Sequence, residues 1–280
     1  MTGLKTNLSS QPVKATSLPL PTTLSGISIT LNQNRQQPAL IALLSVQQIS
    51  ICGNSDGPPP SSEFIPDCFI TAITVQIPFE LVLPPRGVTA ELVVGEDGNQ
   101  SKAFRVLPVS DNLHILNGCD AFPAQRLNTC DAVAAHADGT PVTSDSPAKA
   151  GETVVIYAFG LGQTTPAVKT GEATPATAPN LLTTTVTVDF DFRPNATASH
   201  PYNNPGTTAN PGPILPIFAG LTPGQVGLYQ INIKLPDRMP AVIPCSTSLG
   251  VQSNLTIDIG GTTSGGISFD GAPICVLPAQ

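Results

Sequence analysis

The chain of 280 residues has no tryptophan, few aromatic residues (5%) and few charged residues (11%). A globular domain carries about 25% charged residues. Flat sugar-binding surfaces use exposed Trp and Tyr rings, so the lack of Trp and the presence of only three Tyr disfavour such a surface. The net charge of −7 argues against nucleic-acid binding, which needs clustered Lys and Arg to displace counterions.

Long apolar runs are also missing. The longest, residues 39–46, has the length of a strand, whereas a membrane helix needs about 20 apolar residues. We therefore expect no membrane span in this chain. Residues 1–30 contain no basic segment followed by an apolar one, so no signal peptide is visible. Hydrophobic residues still make up 40% of the chain, which is enough for a core.

The cysteines indicate an oxidising compartment, because their number is even and the chain is rich in Thr, Pro and Gly. No Cys-x-x-Cys and no metal-ligand spacing occurs, which disfavours the alternative of reduced thiols in a cytosolic protein. We expect an extracellular or cell-surface location. Chain order and short loops favour three pairs: Cys52–Cys68, Cys119–Cys130 and Cys245–Cys275.

Short alternating or β-branched runs recur along the chain and are separated by turn signals such as Thr222-Pro223-Gly224. Many short strands at this spacing predict an all-β sandwich or barrel. Residues 132–137 are the one helix-like run, and it is too short to extend. The predicted strands are residues 27–31, 70–77, 89–94, 103–109, 153–159, 183–190, 228–235 and 255–259.

An internal repeat organises these strands. The matching segments are 27–29 with 186–188, 41–45 with 218–222, 73–78 with 231–236, and 100–101 with 252–253. The difference in residue number between matching segments changes along the chain. This change places an insertion between residues 48 and 71 of the first copy and another at 193–213 of the second. The pattern predicts two copies of one β unit, although alternating strands also resemble one another by chance.

A more specific resemblance covers nearly the whole chain. The run GETVVIYAFGLG (151–162), then Thr165-Pro166, and the run FAGLTPGQVGLYQIN (218–232) resemble the Solibacter-type C-terminal domains of secreted acidobacterial proteins. Residues 135–140 are similar to that family's lead-in, and residues 18–26 to its companion unit. The resemblance implies immunoglobulin-like sandwiches of the IPT/TIG type within larger exported proteins. It implies no activity and no catalytic residue.

Together these features predict two tandem immunoglobulin-like antiparallel β-sandwich units, at residues 1–136 and 151–280. The linker at 137–150 is rich in turn residues and poor in large apolar ones. The first unit is expected to lack its opening strand. Matching Gly3-Leu4 to Gly160-Leu161 puts that strand almost wholly before Met1, so we expect the chain to be joined to upstream modules.

The search for catalytic or metal-binding residues finds little. The spacing of His114, His136 and His200 matches no metal motif, and no Gly-x-Ser-x-Gly or phosphate-binding loop occurs. His136 with Asp138 could orient a base, but an Asp-Gly turn is favoured. A catalytic triad assembled from residues that are distant in the sequence is an alternative that the sequence leaves open.

One carboxylate pair lies on a single predicted strand. Asp189 and Asp191 share a face, with Phe190 and Phe192 on the other, and could hold Ca²⁺. A solvent-facing strand side opposite a Phe core is the favoured interpretation. No catalytic, cofactor-binding or metal-binding residue is therefore predicted.

The sequence therefore favours a non-enzymatic extracellular module that acts as a spacer, adhesion or assembly domain of a larger exported protein. Its partner would be an unknown protein or cell-surface polymer. The alternative is an accessory module that binds a glycan or a protein through loops 49–70 and 193–213. In that case Tyr202, Asn203 and Asn204 are the possible contacts, because they lie in the loop whose aromatic residue is most free to meet a ligand.

We predict that all six cysteines are oxidised in the native protein, because the composition and the even count fit an oxidising compartment. The measurement is intact mass after alkylation, with and without prior reduction. Only the reduced sample should gain six alkyl groups. Six alkylated thiols in unreduced material would contradict the prediction.

Overall fold

The computed structural model describes residues 11–33, 37–50, 69–81, 89–109, 111–121, 131–177, 180–191, 214–237, 254–259 and 268–277. Within these residues the chain forms several antiparallel sheets and almost no helix, which confirms the predicted all-β class and is consistent with a β-sandwich. The helix in the described part is α1, Gly118–Ala121. No helix there is long and apolar enough to cross a membrane.

The chain divides into two compact units. Unit 1 consists of Met1–Val109 and Val168–Ala173, and unit 2 of Ser110–Ala167 and Thr174–Gln280. In unit 2, the stretch predicted as a linker, 137–150, is hydrogen-bonded to strands and to the end of the chain. Val142 N–H donates to the carbonyl of Ala134 (2.9 Å), and Ala148 N–H to that of Cys275 (3.0 Å). The bounds of these two units are not those of the predicted units 1–136 and 151–280, which stay predictions.

Unit 1 contains two antiparallel sheets. One has the order β1-β5-β6, and the other the order β2-β3-β7-β8, with β4 also beside β3 and β9 beside β7. The strands are β1 (Val13–Lys14), β2 (Thr23–Leu24), β3 (Ile27–Gln33), β4 (Ala39–Leu40), β5 (Ala42–Ser50), β6 (Phe69–Gln76), β7 (Ala90–Glu96), β8 (Asn99–Gln100) and β9 (Phe104–Val106).

The core of unit 1 follows from the alternation within its strands. Ile29 and Leu31 of β3 are buried, while Thr30 between them is less so. Leu43 of β5 in the other sheet joins the same apolar cluster, and Ile73 and Val75 of β6 line it while only partly buried. Fully burying such a side chain stabilises a fold by about 1.5–3 kcal/mol.

Residues 168–173 are attached to unit 1 by their backbone. Gly171 N–H donates to Gln76 Oε1 (2.6 Å), and the Gly171 carbonyl accepts from Leu20 N–H (2.8 Å). Thr170 Oγ1 accepts from the N–H of Phe79 (2.8 Å). Unit 1 is therefore made of two separate pieces of the chain.

Unit 2 also has two antiparallel sheets. One has the order β10-β12-β17-β16-β14-β13, with β11 also beside β12, and the other the order β15-β18-β19. The strands are β10 (His114–Ile115), β11 (Ala134–His136), β12 (Thr153–Phe159), β13 (Thr164–Thr165), β14 (Asn180–Leu182), β15 (Val186–Asp191), β16 (Phe218–Leu221), β17 (Tyr229–Lys234), β18 (Asn254–Ile259) and β19 (Ser268–Pro273).

The core of unit 2 receives alternate residues from both sheets. Val154, Ile156 and Ala158 of β12 are fully buried, and β17 and β18 add the fully buried Ile231, Ile233, Leu255 and Ile257. The buried positions keep the period of two that β-strands impose. This alternation is the pattern from which the strands were predicted.

The two units share a four-strand order. In unit 1, β3 pairs with β7 in one sheet, while β5 and β6 pair in the other. In unit 2, β15 pairs with β18, while β16 and β17 pair in the other sheet. The first three repeat segments lie in corresponding strands: in β3 and β15, around β5 and β16, and around β6 and β17. Residues 252–253 lie outside the described residues.

We predict that Gly160→Ala lowers the free energy of unfolding by about 3–4 kcal/mol, because the added methyl has no room. Gly160 follows β12 with a φ of +72°, and a Cβ there would overlap the backbone carbonyl of Asn112. Urea unfolding of the full chain measures the loss.

Gly224→Ala is the matched control. Its φ of +74° is nearly the same, but a Cβ there has no neighbour within 4 Å. In this variant only backbone strain should lower the free energy of unfolding, by about 1–2 kcal/mol. Equal losses for the two variants would show that the close approach of Asn112 does not matter.

Candidate functional site

His136, at the end of β11, is the centre of an ordered set of polar side chains. Its Nδ1 lies 3.0 Å from Glu152 Oε1, and its Nε2 lies 3.1 Å from Ser146 Oγ. The order hydroxyl, imidazole, carboxylate is the one that activates a serine nucleophile. The ring is largely buried, which strengthens its polar contacts because the local dielectric is low.

A second contact decides what this array can do. The same Nε2 lies 3.1 Å from the backbone carbonyl oxygen of Ser146, which can only accept a hydrogen bond. Glu152 needs a donor at Nδ1, so the single remaining nitrogen, Nε2, is shared between the Ser146 hydroxyl and this carbonyl. Ser146 N–H is engaged by Thr143 (3.2 Å), so it does not form an oxyanion site. The array therefore fixes the 143–146 turn against the start of β12.

Asp138 does not orient the ring, and the predicted Asp-Gly turn is confirmed. Gly139 has a φ of +88°, and its N–H donates to the His136 carbonyl (2.9 Å). The carboxylate of Asp138 accepts from Thr140 Oγ1 (2.6 Å) and from Thr140 N–H (2.9 Å). These hydrogen bonds lower the pKa of Asp138.

His114 joins three elements of unit 2. Its Nδ1 lies 3.0 Å from Asp270 Oδ2, on β19, and its Nε2 lies 2.8 Å from Asp120 Oδ2, in α1. Asp270 Oδ2 also accepts from Ile115 N–H (2.8 Å). Both ring nitrogens face carboxylate oxygens, which accept hydrogen bonds from N–H donors. The sequence could not reveal this contact, because 156 residues separate His114 from Asp270.

Asp189 and Asp258 form a buried carboxyl pair on the sheet β15-β18-β19. Asp189 lies opposite Thr256 and Asp258 opposite Thr187, so the two carboxyls are diagonal neighbours on one face. They are 7% and 2% exposed, and Asp258 Oδ1 has no hydrogen-bond partner. The expectation that this side of the strand faces solvent is therefore wrong for Asp189. Burial, and then the Asp258 carboxylate, raises the pKa of Asp189 to about 6.

No three His, Cys, Asp or Glu side chains within the described ranges form a group that could hold a metal ion. Tyr229 is buried, and its hydroxyl donates to the Gly162 carbonyl; burial raises the pKa of this hydroxyl. The predicted loop contacts Tyr202, Asn203 and Asn204 lie outside the described residues, as do His200 and most of loops 49–70 and 193–213.

The structure describes two of the six cysteines. Cys119 in α1 and Cys275 after β19 are both disulfide-bonded. Cys52, Cys68, Cys130 and Cys245 lie outside the described residues. The pairings Cys52–Cys68, Cys119–Cys130 and Cys245–Cys275 therefore stay predictions.

Comparison with known proteins gives no relative. No family model, no curated protein and no solved structure matches the chain. The resemblance to Solibacter-type domains therefore stays a prediction.

We predict that Asp189→Asn stabilises the protein at pH 7.5 and has little effect near pH 3.8. A raised pKa means that the folded state binds the Asp189 proton more tightly than the unfolded state does. This contribution to stability is complete below pH 3.8 and is lost as the pH rises through 6. The shift of about two pKa units corresponds to about 3 kcal/mol, which the uncharged Asn avoids. Urea unfolding of both proteins across this range measures the difference.

Asp145→Asn is the control, because Asp145 is exposed. Its stability difference from the natural protein should stay within about 0.5 kcal/mol and not depend on pH in this window. If the stability difference between Asp189→Asn and the natural protein is also independent of pH, the buried pair does not titrate in this pH range.

Proposed function

We propose that the chain is a non-enzymatic extracellular module, built of tandem immunoglobulin-like sandwiches, within a larger exported protein. It acts as a spacer, adhesion or assembly domain. The observation that supports this proposal best is the strand order shared by the two units, with β3, β5, β6 and β7 matched by β15, β16, β17 and β18. Repeated domains that each have an apolar core extend a chain and present surfaces to partners. Neither role requires a catalytic site.

The disulfide-bonded Cys119 and Cys275 support the location. Disulfides persist in oxidising compartments and are rare in the cytosol. The low charge content fits as well, because covalent links take over part of the stabilisation of a small domain. The resemblance to exported Solibacter-type domains, itself a prediction, points to the same place.

Among the described residues, the His136 array comes nearest to a catalytic arrangement. Its Nε2 faces the carbonyl oxygen of Ser146 as well as the Ser146 hydroxyl, and its Nδ1 faces the carboxylate of Glu152. The nearby Ser146 N–H is engaged within its own turn. These contacts favour a turn-fixing role and support the non-enzymatic proposal.

We predict that a serine-reactive fluorophosphonate does not label Ser146 in the full chain, because the N–H of Ser146 is engaged within its own turn and does not stabilise an oxyanion. His136→Asn should instead lower the free energy of unfolding by about 1–3 kcal/mol, since Glu152 then loses its hydrogen bond to the ring. Mass spectrometry after labelling and urea unfolding measure the two effects.

Ser146→Ala serves as the labelling control, and Ser144→Ala as the matched turn variant outside the array. The non-enzymatic proposal is overturned if Ser146 is labelled and this labelling disappears in His136→Asn but is kept in Ser144→Ala. Loss of stability without any labelling would agree with it.

A further inference from the structure

The sequence contains four Asn-x-Ser/Thr motifs that have no proline at the middle position, at Asn7, Asn99, Asn195 and Asn254. In exported proteins this motif is the acceptor for N-linked glycosylation. Asn7 and Asn195 lie outside the described residues, so the structure compares the motifs at Asn99 and Asn254. The fold presents these two motifs in opposite ways.

Asn99 follows the tight turn that joins β7 to β8. Asp97 and Gly98 form a two-residue loop with φ values of +46° and +85°, and Asn99 pairs with Glu96 across the loop. A two-residue loop with two positive φ values is the hairpin turn that favours Asp-Gly. Residues 97–101 are all exposed. The hairpin therefore presents the acceptor side to an enzyme.

The hydroxyl of Ser101, which is the other half of the motif, is also within reach. It accepts a hydrogen bond from Val94 N–H (3.0 Å) and donates one to the Lys102 carbonyl (2.9 Å), and both bonds are exposed. Exposed contacts at the end of a hairpin open without unfolding of the sheet. An enzyme can therefore engage this hydroxyl while the core of unit 1 stays intact.

The motif at Asn254 is part of a central strand. Asn254 begins β18, which has β15 on one side and β19 on the other. The next two residues are buried, because Leu255 is 0% exposed and Thr256 is 5% exposed. An enzyme can reach this motif only after β18 has left the sheet.

The residue two positions before each acceptor makes a second distinction. It is Asp97 for Asn99, whereas the other three motifs have a basic or an uncharged residue there: Lys5, Arg193 and Gln252. Bacterial oligosaccharyltransferases require an acidic residue at this position in addition to the Asn-x-Ser/Thr motif. Asn99 is therefore the acceptor in this sequence that meets both requirements.

We propose that Asn99 is an N-glycosylation site, selected by its exposed hairpin and by Asp97. This inference rests on the proposed extracellular location, because the modification is made on exported chains. The sugar donor is an oligosaccharide linked to a polyprenyl diphosphate. Asn99 Nδ2 forms a bond to the anomeric carbon of the first sugar, and the bond from that carbon to the diphosphate oxygen breaks. The diphosphate leaves with the electron pair, and Nδ2 loses one proton.

The test uses the folded full chain, a purified bacterial oligosaccharyltransferase and a polyprenyl-diphosphate oligosaccharide. Intact mass counts the attached glycans, and peptide mapping locates them. The natural chain should gain one glycan, at Asn99, and Asn99→Gln should gain none. Asp97→Asn should also gain none, although an Asn-Gly loop keeps the same type of turn.

Gln252→Asp is the matched control for exposure, because it gives the Asn254 motif the same acidic residue. A peptide of residues 250–258 with this change should be modified, as should a peptide of residues 95–103. In the folded variant, Asn254 should react at least about 1,000-fold more slowly than in its peptide, because reaching it requires unfolding of β18.

The proposal is overturned if Asn99 of the folded chain is not modified or if Asp97→Asn is modified equally. It is also overturned if Asn254 of the folded Gln252→Asp variant reacts as fast as Asn99, because exposure then does not select the site. These outcomes leave the non-enzymatic proposal intact, because that proposal depends on the reactivity of Ser146.

Discussion

The antiparallel pairing of β12 with β17 is the interaction on which unit 2 depends. It joins six residue pairs, and three inward residues of β12 meet the inward face of β17 in the core. β10 and β11 add to the other edge of β12, and through them His114 and His136 are held in place. With about 1.5–3 kcal/mol for each fully buried large side chain, this one pairing outweighs any polar contact in the unit.

Several of the longer strands in the described regions follow from the sequence, because alternation is a local property that can be read residue by residue, whereas β5 (Ala42–Ser50) is not among the predicted strands. The predicted strand 153–159 is found as Thr153–Phe159, and 255–259 as Asn254–Ile259. Prediction fails where pairing is decided at a distance. Residues 132–137 contain β11 because β12 offers it an edge, and the stretch 137–150 is bonded to a segment more than 100 residues later.

The polar sites were beyond sequence reasoning for the same reason. The sequence singles out His136 and Asp189, but not their partners Glu152 and Asp258, because those contacts depend on which strands become neighbours. Both described histidines lie between hydrogen-bond acceptors that include a carboxylate. Such sites are typical of a fold in which charges hold turns and short strands while apolar residues form the sheets.

The two-piece composition of unit 1 has a consequence for synthesis at the ribosome. Residues 168–173 belong to unit 1 but leave the exit tunnel only after residues 110–167, which belong to unit 2. Unit 1 therefore cannot finish folding co-translationally before part of unit 2 has emerged. Nor can a single crossover in a gene transfer unit 1 whole without also transferring residues 110–167 of unit 2. The two units are therefore linked both in folding during synthesis and in gene transfer, even though their strand orders repeat.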